Sequence, residues 1–329
     1  MKNIFKYLFL VLIVASCKED VKTHRLIGNV FGTSYSVQFE APESEIYFQE
    51  QFDKLFYIIN KSMSTYQENS IISKINRNEG VSIDSHFRKV FDASKEIYAA
   101  TNGAFDPTIG VMVNAWNFGS DNGVEDLNTE TIDSLMLTVG FNKVERDGDK
   151  IIKPHKGTII DFSAIAKGYG VDVIANFLDT QYVDNYLVEI GGEIRAKGIN
   201  MGSEKPWKIG VENPNFDGTQ SVMKAISLTD GAMATSGTYR KFKVDENGKK
   251  YAHIIDPKTG YSSKNNVLSV SVITKECMIA DAYATALMTM SVEKIKSFAE
   301  KHSELKLFVI FENDNKELKT LSLNGFPEE

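Results

Sequence analysis

Asp281 and Thr285 stand four residues apart in an apolar, alanine-rich run from Met278 to Met288. On a helix this spacing puts both side chains on one face, one turn apart. A carboxylate in such surroundings is costly unless it is paired or bound to a cation. A carboxylate and a hydroxyl are both oxygen donors and suit a hard cation such as Mg²⁺. Taken alone, the run fits a helix cap or an aspartate satisfied by backbone N–H groups at least as well.

A second segment, Asp161 through Gly170, has Ser, Ala or Gly at five of its ten positions and carries Lys167. Small residues let a ligand approach the backbone. A helix start there would offer free N–H groups to phosphate oxygens, and Lys167 would add a positive charge suited to a pyrophosphate. The plainer reading is a tight strand–helix turn with a surface lysine. The spacing is not that of a Walker loop. In Asn102 through Gly110, Gly and Pro mark a rigid turn whose Asp106 could accept from a ligand or from its own backbone. His253, ahead of the turn Asp256–Gly260, could act as a base near neutral pH. The run Ala234–Arg240 is rich in hydroxyls and reads as a phosphate-binding or simply polar loop.

The elements that must position these groups follow from periodicity. Ser44–Met63, His86–Thr101, Thr129–Val139, Val171–Leu178, Met278–Met290 and Val292–His302 have helical spacing. Asn29–Phe39, Thr158–Ile160, Tyr186–Ile190, Glu193–Lys197, Lys208–Glu212, Lys224–Leu228, His253–Ile255, Val267–Ile273 and Lys306–Phe311 read as strands. Gly191-Gly192 suits a hairpin turn. The mixture lacks a strict βαβ rhythm, which favours α+β with antiparallel sheet. No G-x-G-x-x-G opens a helix after a strand, so a Rossmann site is not expected.

The chain has 329 residues, 42% of them hydrophobic, enough for a full core. A net charge of −7 without a cluster of Lys and Arg excludes a broad nucleic-acid surface. Lys2 and Lys6 precede an apolar stretch, Tyr7–Val14, too short to span a bilayer, and then Val14-Ala15-Ser16-Cys17. This order resembles a bacterial lipoprotein signal: residues 1–16 are cut away, Cys17 carries lipid, and residues 17–24 form a tether to a domain over 25–329. Cys277 is then the one remaining thiol.

Together the segments resemble the FAD:protein FMN transferase family, also called the ApbE family, over nearly the whole mature chain. The likeness rests on the order and spacing of Met63–Tyr66 with Ser70 and Asn76, Ala104–Pro107, Asn114–Gly119, Asp161–Gly168, Gly191-Gly192, Thr235–Gly237, His253–Gly260, and Ala280-Asp281 with Thr285. The resemblance implies an α+β, T-fold-like domain with FAD, the substrate, in a cleft. It implies Mg²⁺ held by Asp281, Thr285 and the backbone carbonyl of Ala164. Asp161, Lys167, Ala104, Phe105, Asp106, Tyr66 and Ile255 match positions that line the dinucleotide, and His253 matches a histidine that assists the chemistry. Phe31 stands where many members have Met and is kept as a flavin contact; Thr238 stands where many have Asp, which weakens a metal role for that loop. The activity implied is transfer of FMN from FAD to a Thr or Ser hydroxyl of an acceptor protein, a membrane electron-transfer subunit, with release of AMP. The localisation implied is the periplasmic side of the inner membrane. The family's acceptor pattern is absent here, so the chain reads as the modifying enzyme. The competing readings are an FAD pyrophosphatase and a flavin-binding lipoprotein without activity.

Overall fold

The structure, a computed structural model, describes residues 21–42, 48–121, 123–124, 127–239, 242–244, 250–263 and 265–328. The expected signal segment, Cys17, the first helix's start and Arg240 lie outside them. In chain order, strands β1 (Val21–Val30) and β2 (Thr33–Pro42) precede helices α1 (Phe48–Met63), α2 (Ile71–Asn76), α3 (Ser85–Ala100), α4 (Gly110–Ala115) and α5 (Thr129–Met136). A short hairpin, β3 (Glu145–Asp147) and β4 (Lys150–Ile152), leads to α6 (Ala166–Thr180), β5 (Tyr186–Ile190) and β6 (Glu193–Lys197). Strands β7 (Ile199–Asn200), β8 (Lys205–Glu212), β9 (Val222–Leu228), β10 (Gly231–Gly237), β11 (Phe242–Val244), β12 (Lys250–Ala252) and β13 (Val267–Thr274) follow. The chain closes with α7 (Cys277–Leu287), α8 (Val292–Ala299), β14 (Lys306–Glu312) and β15 (Leu318–Leu323).

The frame is an eight-stranded sheet in the order β1-β2-β5-β6-β10-β13-β14-β15. Every pairing in it is antiparallel, as the α+β reading requires. Strand β13 is buried at six of its eight positions, the mark of a central strand covered on both faces. Ala234, Val270 and Val272 belong to the core that includes α7. Met233 and Ile273 belong to a separate core with Trp207, Ile209 and Ile226 of the β8–β9 hairpin. Helix α7 packs on α6, β10 and β13. Its alanines 280, 282, 284 and 286 are fully buried, and such small side chains let neighbouring backbones come close.

Five sequence expectations are corrected. Asn29–Phe39 is not one strand: Phe31 and Gly32, with φ of 51° and 74°, form the two-residue turn of the β1–β2 hairpin. Two successive positive φ values match the twist of a tight antiparallel hairpin. Val21–His24, expected to belong to the tether, pair with Phe39–Pro42 as the start of β1. Thr158–Ile160 contributes only an isolated bridge, Ile159 to Ile109. His253 and Ile254 follow β12 as a bend, and only Ile255 makes a bridge, to Ser262. Ala234–Gly237, read as a loop, is most of β10, because its side chains alternate against α7 and the neighbouring strands.

Candidate active site

A cleft of about 350 Å³ opens between the N-terminal end of α6 and the middle and last turns of α7. One wall is built on regular structure. Asp281 and Thr285 face it from successive turns of α7, as their spacing requires, beside Ala164 and Lys167 at the start of α6 and Glu193 on β6. Ser236 on β10 shares a hydrogen bond of 3.0 Å with the Thr285 hydroxyl. Asp281 is 3% exposed and accepts the Gly168 N–H at 3.0 Å, so the plain reading of a backbone-satisfied aspartate holds for one of its oxygens. A Cβ on Gly168 would stand 2.4 Å from the Cys277 carbonyl oxygen and 2.8 Å from the Asp281 Cβ. Only glycine permits this approach of the two helices.

The charges on this wall do not cancel. The Lys167 ammonium lies 2.5 Å from Glu193, and its position is set by Glu193 and Asp281 together. Burial works against its charge, yet the two carboxylates outweigh burial and raise its pKa. Behind it, Asp172 of α6 pairs with Arg195 of β6 at 3.0 Å. Three carboxylates thus share two cations. The strain appears in the acids: burial pushes Glu193 up to about 7 and raises Asp281 and Asp172. The buried Oε2 of Glu193 has no hydrogen-bond partner among the described residues.

A hard divalent cation fits this wall. The available donors are a buried carboxylate, a hydroxyl one turn on, and the backbone at Ala164. Among the described residues no three of His, Cys, Asp and Glu gather as a metal cluster. A cation here would therefore complete its shell with ligand phosphates and water, the usual manner of Mg²⁺.

The facing wall is made of turns. Asp106 is 6% exposed, and its carboxylate is spent on local structure. It accepts from the Thr108 N–H at 2.7 Å, the Thr108 hydroxyl at 2.5 Å and the Phe141 N–H at 3.3 Å. Burial raises its pKa against these bonds. Asp161 holds the Ser163 N–H and hydroxyl, at 2.8 and 2.6 Å. Its segment is clamped by Asn76, whose side-chain amide exchanges two 2.9 Å bonds with the Ile160 backbone. Ser70 caps α2, the helix that carries Asn76. The role of these two polar residues is therefore to seat Asp161.

Trp116 donates to the Gly260 carbonyl at 2.9 Å and thereby ties α4 to the turn after Ile255. His253 lines the cleft with its ring 6.4 Å from that of Phe118, edge to face. Tyr66 stands at the mouth, 68% exposed; burial of the rest of its ring and the Asp161 charge raise its pKa.

The cleft thus gathers Tyr66, Ala104, Phe105, Asp106, Asp161, Ala164, Lys167, His253, Ile255, Asp281 and Thr285. It does not include Phe31. The hairpin turn directs that ring into the core, 5.7 Å from Phe56 and against Gly170. Sequence reasoning missed Glu193, Asp172 and Arg195. Their signals were present: Glu193 and Arg195 are two apart on a strand and so share a face, and Asp172 interrupts an apolar helix.

The antiparallel sheet, the packed helices α6 and α7, and a cleft that joins a few aromatic rings to a charged wall define an α+β protein with a site suited to a nucleotide-sized ligand. The chain belongs to the ApbE family, whose model matches residues 31–309. It is 35% identical to the FAD:protein FMN transferase of Vibrio cholerae over 99% of both chains. It is 36% identical to that of Haemophilus influenzae, over 93% of this chain and 91% of the other. Among solved structures, the flavin transferase ApbE from Vibrio cholerae superposes with a TM-score of 0.83 at 34% identity, covering 92% of this chain and 98% of that one. The apo flavinyl transferase ApbE of Pseudomonas stutzeri gives a TM-score of 0.82 at 28% identity, over 92% and 95%.

Proposed function

We propose that this chain is an FAD:protein FMN transferase that uses Mg²⁺ to move the FMN half of FAD onto a Thr or Ser hydroxyl of an acceptor protein, releasing AMP. The observation that carries the reading is the charge imbalance around Asp281: a buried wall with one carboxylate more than its cations can balance, facing a cleft lined with Lys167 and small residues. A cation held by Asp281, Thr285 and the Ala164 carbonyl would supply electrostatic stabilisation of the phosphate oxygens. Lys167 lines the cleft and would bind the pyrophosphate, and Tyr66 with Phe105 would offer aromatic surface to the ring systems. In the transfer the acceptor oxygen bonds to the flavin-side phosphorus. The pyrophosphate P–O bond breaks with its electron pair leaving on AMP, and His253 takes the hydroxyl proton. Positioning and electrostatics supply most of the rate.

We also propose export and lipidation at Cys17, with the enzyme on the periplasmic side of the inner membrane and its acceptors among electron-transfer subunits there. Strand β1 begins at Val21, so four Cα steps separate the lipid-bearing residue from the folded domain, at most about 14 Å. Among the described residues no helix is long and apolar enough to cross a membrane, and the lipid would be the attachment.

The test is in-gel flavin fluorescence of an acceptor domain incubated with the purified chain, FAD and Mg²⁺. Labelling is expected to vanish in EDTA and to fall about a hundredfold or more in Asp281→Ala, the scale of losing one preorganised transition-state contact. Undiminished labelling in EDTA would remove the metal from the reaction. AMP release as fast without acceptor as with it would make the chain a pyrophosphatase.

A further inference from the structure

Neither α6 nor α7 has a side-chain cap of its own: Ile165 offers none, and Glu276 makes no cap bond. Each helix is capped by the other. Asp172, in the second turn of α6 and 1% exposed, accepts the Cys277 N–H at 3.0 Å and the Met278 N–H at 2.8 Å, the first two of α7. In return Asp281, in the second turn of α7, accepts the Gly168 N–H of α6. Such orphan donors must be met, and an acid at a helix start also meets the positive end of its dipole. The three bonds run in opposite directions between the helices, two to Asp172 and one to Asp281, so the register of one helix on the other is fixed at both ends of a short rectangle. Arg195 pins that rectangle to the sheet. It contacts Asp172 at 3.0 Å, Asn176 at 3.0 Å and Asp179 at 3.7 Å, and it lies two residues from Glu193 on β6.

We propose that Asp172 and Arg195 are positioning residues for the cation site: by holding the first turn of α7 against α6 they set where Asp281 and Thr285 stand. The inference rests on the Mg²⁺ reading above. Cys277 and Asp281 are one helical turn apart, so any roll or slip of the first turn is carried straight into the Asp281 carboxylate. Groups that orient a metal ligand without touching the metal change affinity by about 10–100-fold when removed. Asp172→Asn keeps the shape and one acceptor oxygen, but loses one N–H partner, the charge at the helix start and the ion pair.

The experiment measures Mn²⁺ binding by electron paramagnetic resonance, in the presence of FAD, on the intact chain and on Asp172→Asn, Arg195→Met and Asp281→Asn. FAD affinity is measured separately in EDTA. The expected result is Mn²⁺ binding about tenfold or more weaker in Asp172→Asn, a smaller loss in Arg195→Met, and metal-free FAD affinity within about twofold of the parent. A cap that only stabilised the fold would lower Tm and leave Mn²⁺ binding unchanged, and that result would overturn the proposal. Should Asp172→Asn fail to fold by circular dichroism, Arg195→Met, which leaves both cap bonds in place, decides the matter by the same measurement. If Asp281→Asn loses Mn²⁺ while Asp172→Asn binds it normally, the positioning role fails alone. If Asp281→Asn binds Mn²⁺ like the parent, the metal reading fails and takes this inference with it.

Discussion

The α6–α7 side of the cleft holds its functional groups on helix turns, locked by buried carboxylates and cations; the facing side holds them on turns, locked by Asx contacts and backbone clamps. Lys167 answers to the charges of both Asp281 and Glu193, and Asp281 to that of Lys167, so moving any one disturbs the rest. Asp106 and Asp161, though acidic, spend their carboxylates on N–H and hydroxyl groups, those two residues on in each case and the Phe141 N–H besides for Asp106, and their loops can change with less effect on the opposite wall. The charged wall suits chemistry that needs a fixed electrostatic field, and the turn wall suits recognition of a flat ring.

Glycine substitutions test this contrast most severely. Gly168→Ala drives a methyl into the Cys277 carbonyl, which is backbone and cannot swing away. Overpacking of that kind costs about 1–3 kcal/mol, or a Tm loss of roughly 1.5 °C per kcal/mol at this size. It should also prise α7 from α6 and raise the Mg²⁺ concentration needed for labelling. Gly260→Ala, on the turn wall, meets the flexible end of Met136 at 2.9 Å but must hold a φ of +73°. The conformational cost is about 1–2 kcal/mol, with the effect falling on KM for FAD rather than on the metal requirement. Thermal melts and Mg²⁺ titrations of the two variants separate the outcomes; equal shifts in metal requirement would erase the distinction between the walls.

The pH dependence of stability gives a second, smaller handle on the charged wall. Glu193 is pushed from an ordinary 4.5 up to about 7, chiefly by burial, with the Lys167 charge opposing and the Asp281 charge adding to the rise. Between those values the folded protein keeps a proton that the unfolded chain has released. Its stability therefore falls as pH rises through that window. Glu193→Gln removes the titration. In EDTA, the Tm of this variant relative to the parent should climb as pH rises from 4.5 to about 7 and level off beyond. A difference that stays flat would show that Glu193 is already ionised at the low end and that the wall is better balanced than its geometry indicates.

Much of this was legible in the sequence, and the parts that were not share a cause. Helical period placed Asp281 and Thr285 on one face, and the antiparallel α+β class followed from the absence of a βαβ rhythm. Strands Tyr186–Ile190 and Glu193–Lys197 emerge with the limits expected. Local pattern could not see that Phe31 and Gly32 would both take positive φ, since this conformation is rare outside glycine and turns on Phe31 finding Phe56. Nor could it read β10, whose polar side chains become strand-like only because Ser236 and Thr235 meet Thr285 and Ser271 across the fold. The charged network behind Asp281 was hidden for the same reason: Arg195, Glu193 and Asp172 stand 86, 88 and 109 positions before Asp281 in the sequence, joined to it only by tertiary packing.

Tyr66 offers the mildest test and the one that most directly probes the turn wall. Its ring is 68% exposed at the mouth, with its pKa raised by partial burial and by Asp161. A ring that stacks on a ligand and is otherwise free contributes about 0.5–1.5 kcal/mol beyond its buried area. Tyr66→Ala should therefore raise KM for FAD by about three- to tenfold, leave kcat close to the parent value and leave Tm nearly unchanged. Tyr66→Phe keeps the ring and removes the hydroxyl that feels Asp161, so it should restore most of the affinity. If Tyr66→Ala instead lowers kcat as strongly as it raises KM, the turn wall takes part in the transition state. The division of labour between the walls would then have to be redrawn around the mouth of the cleft, because an exposed ring can reach the reacting phosphate only if the loop carrying it closes over the bound ligand.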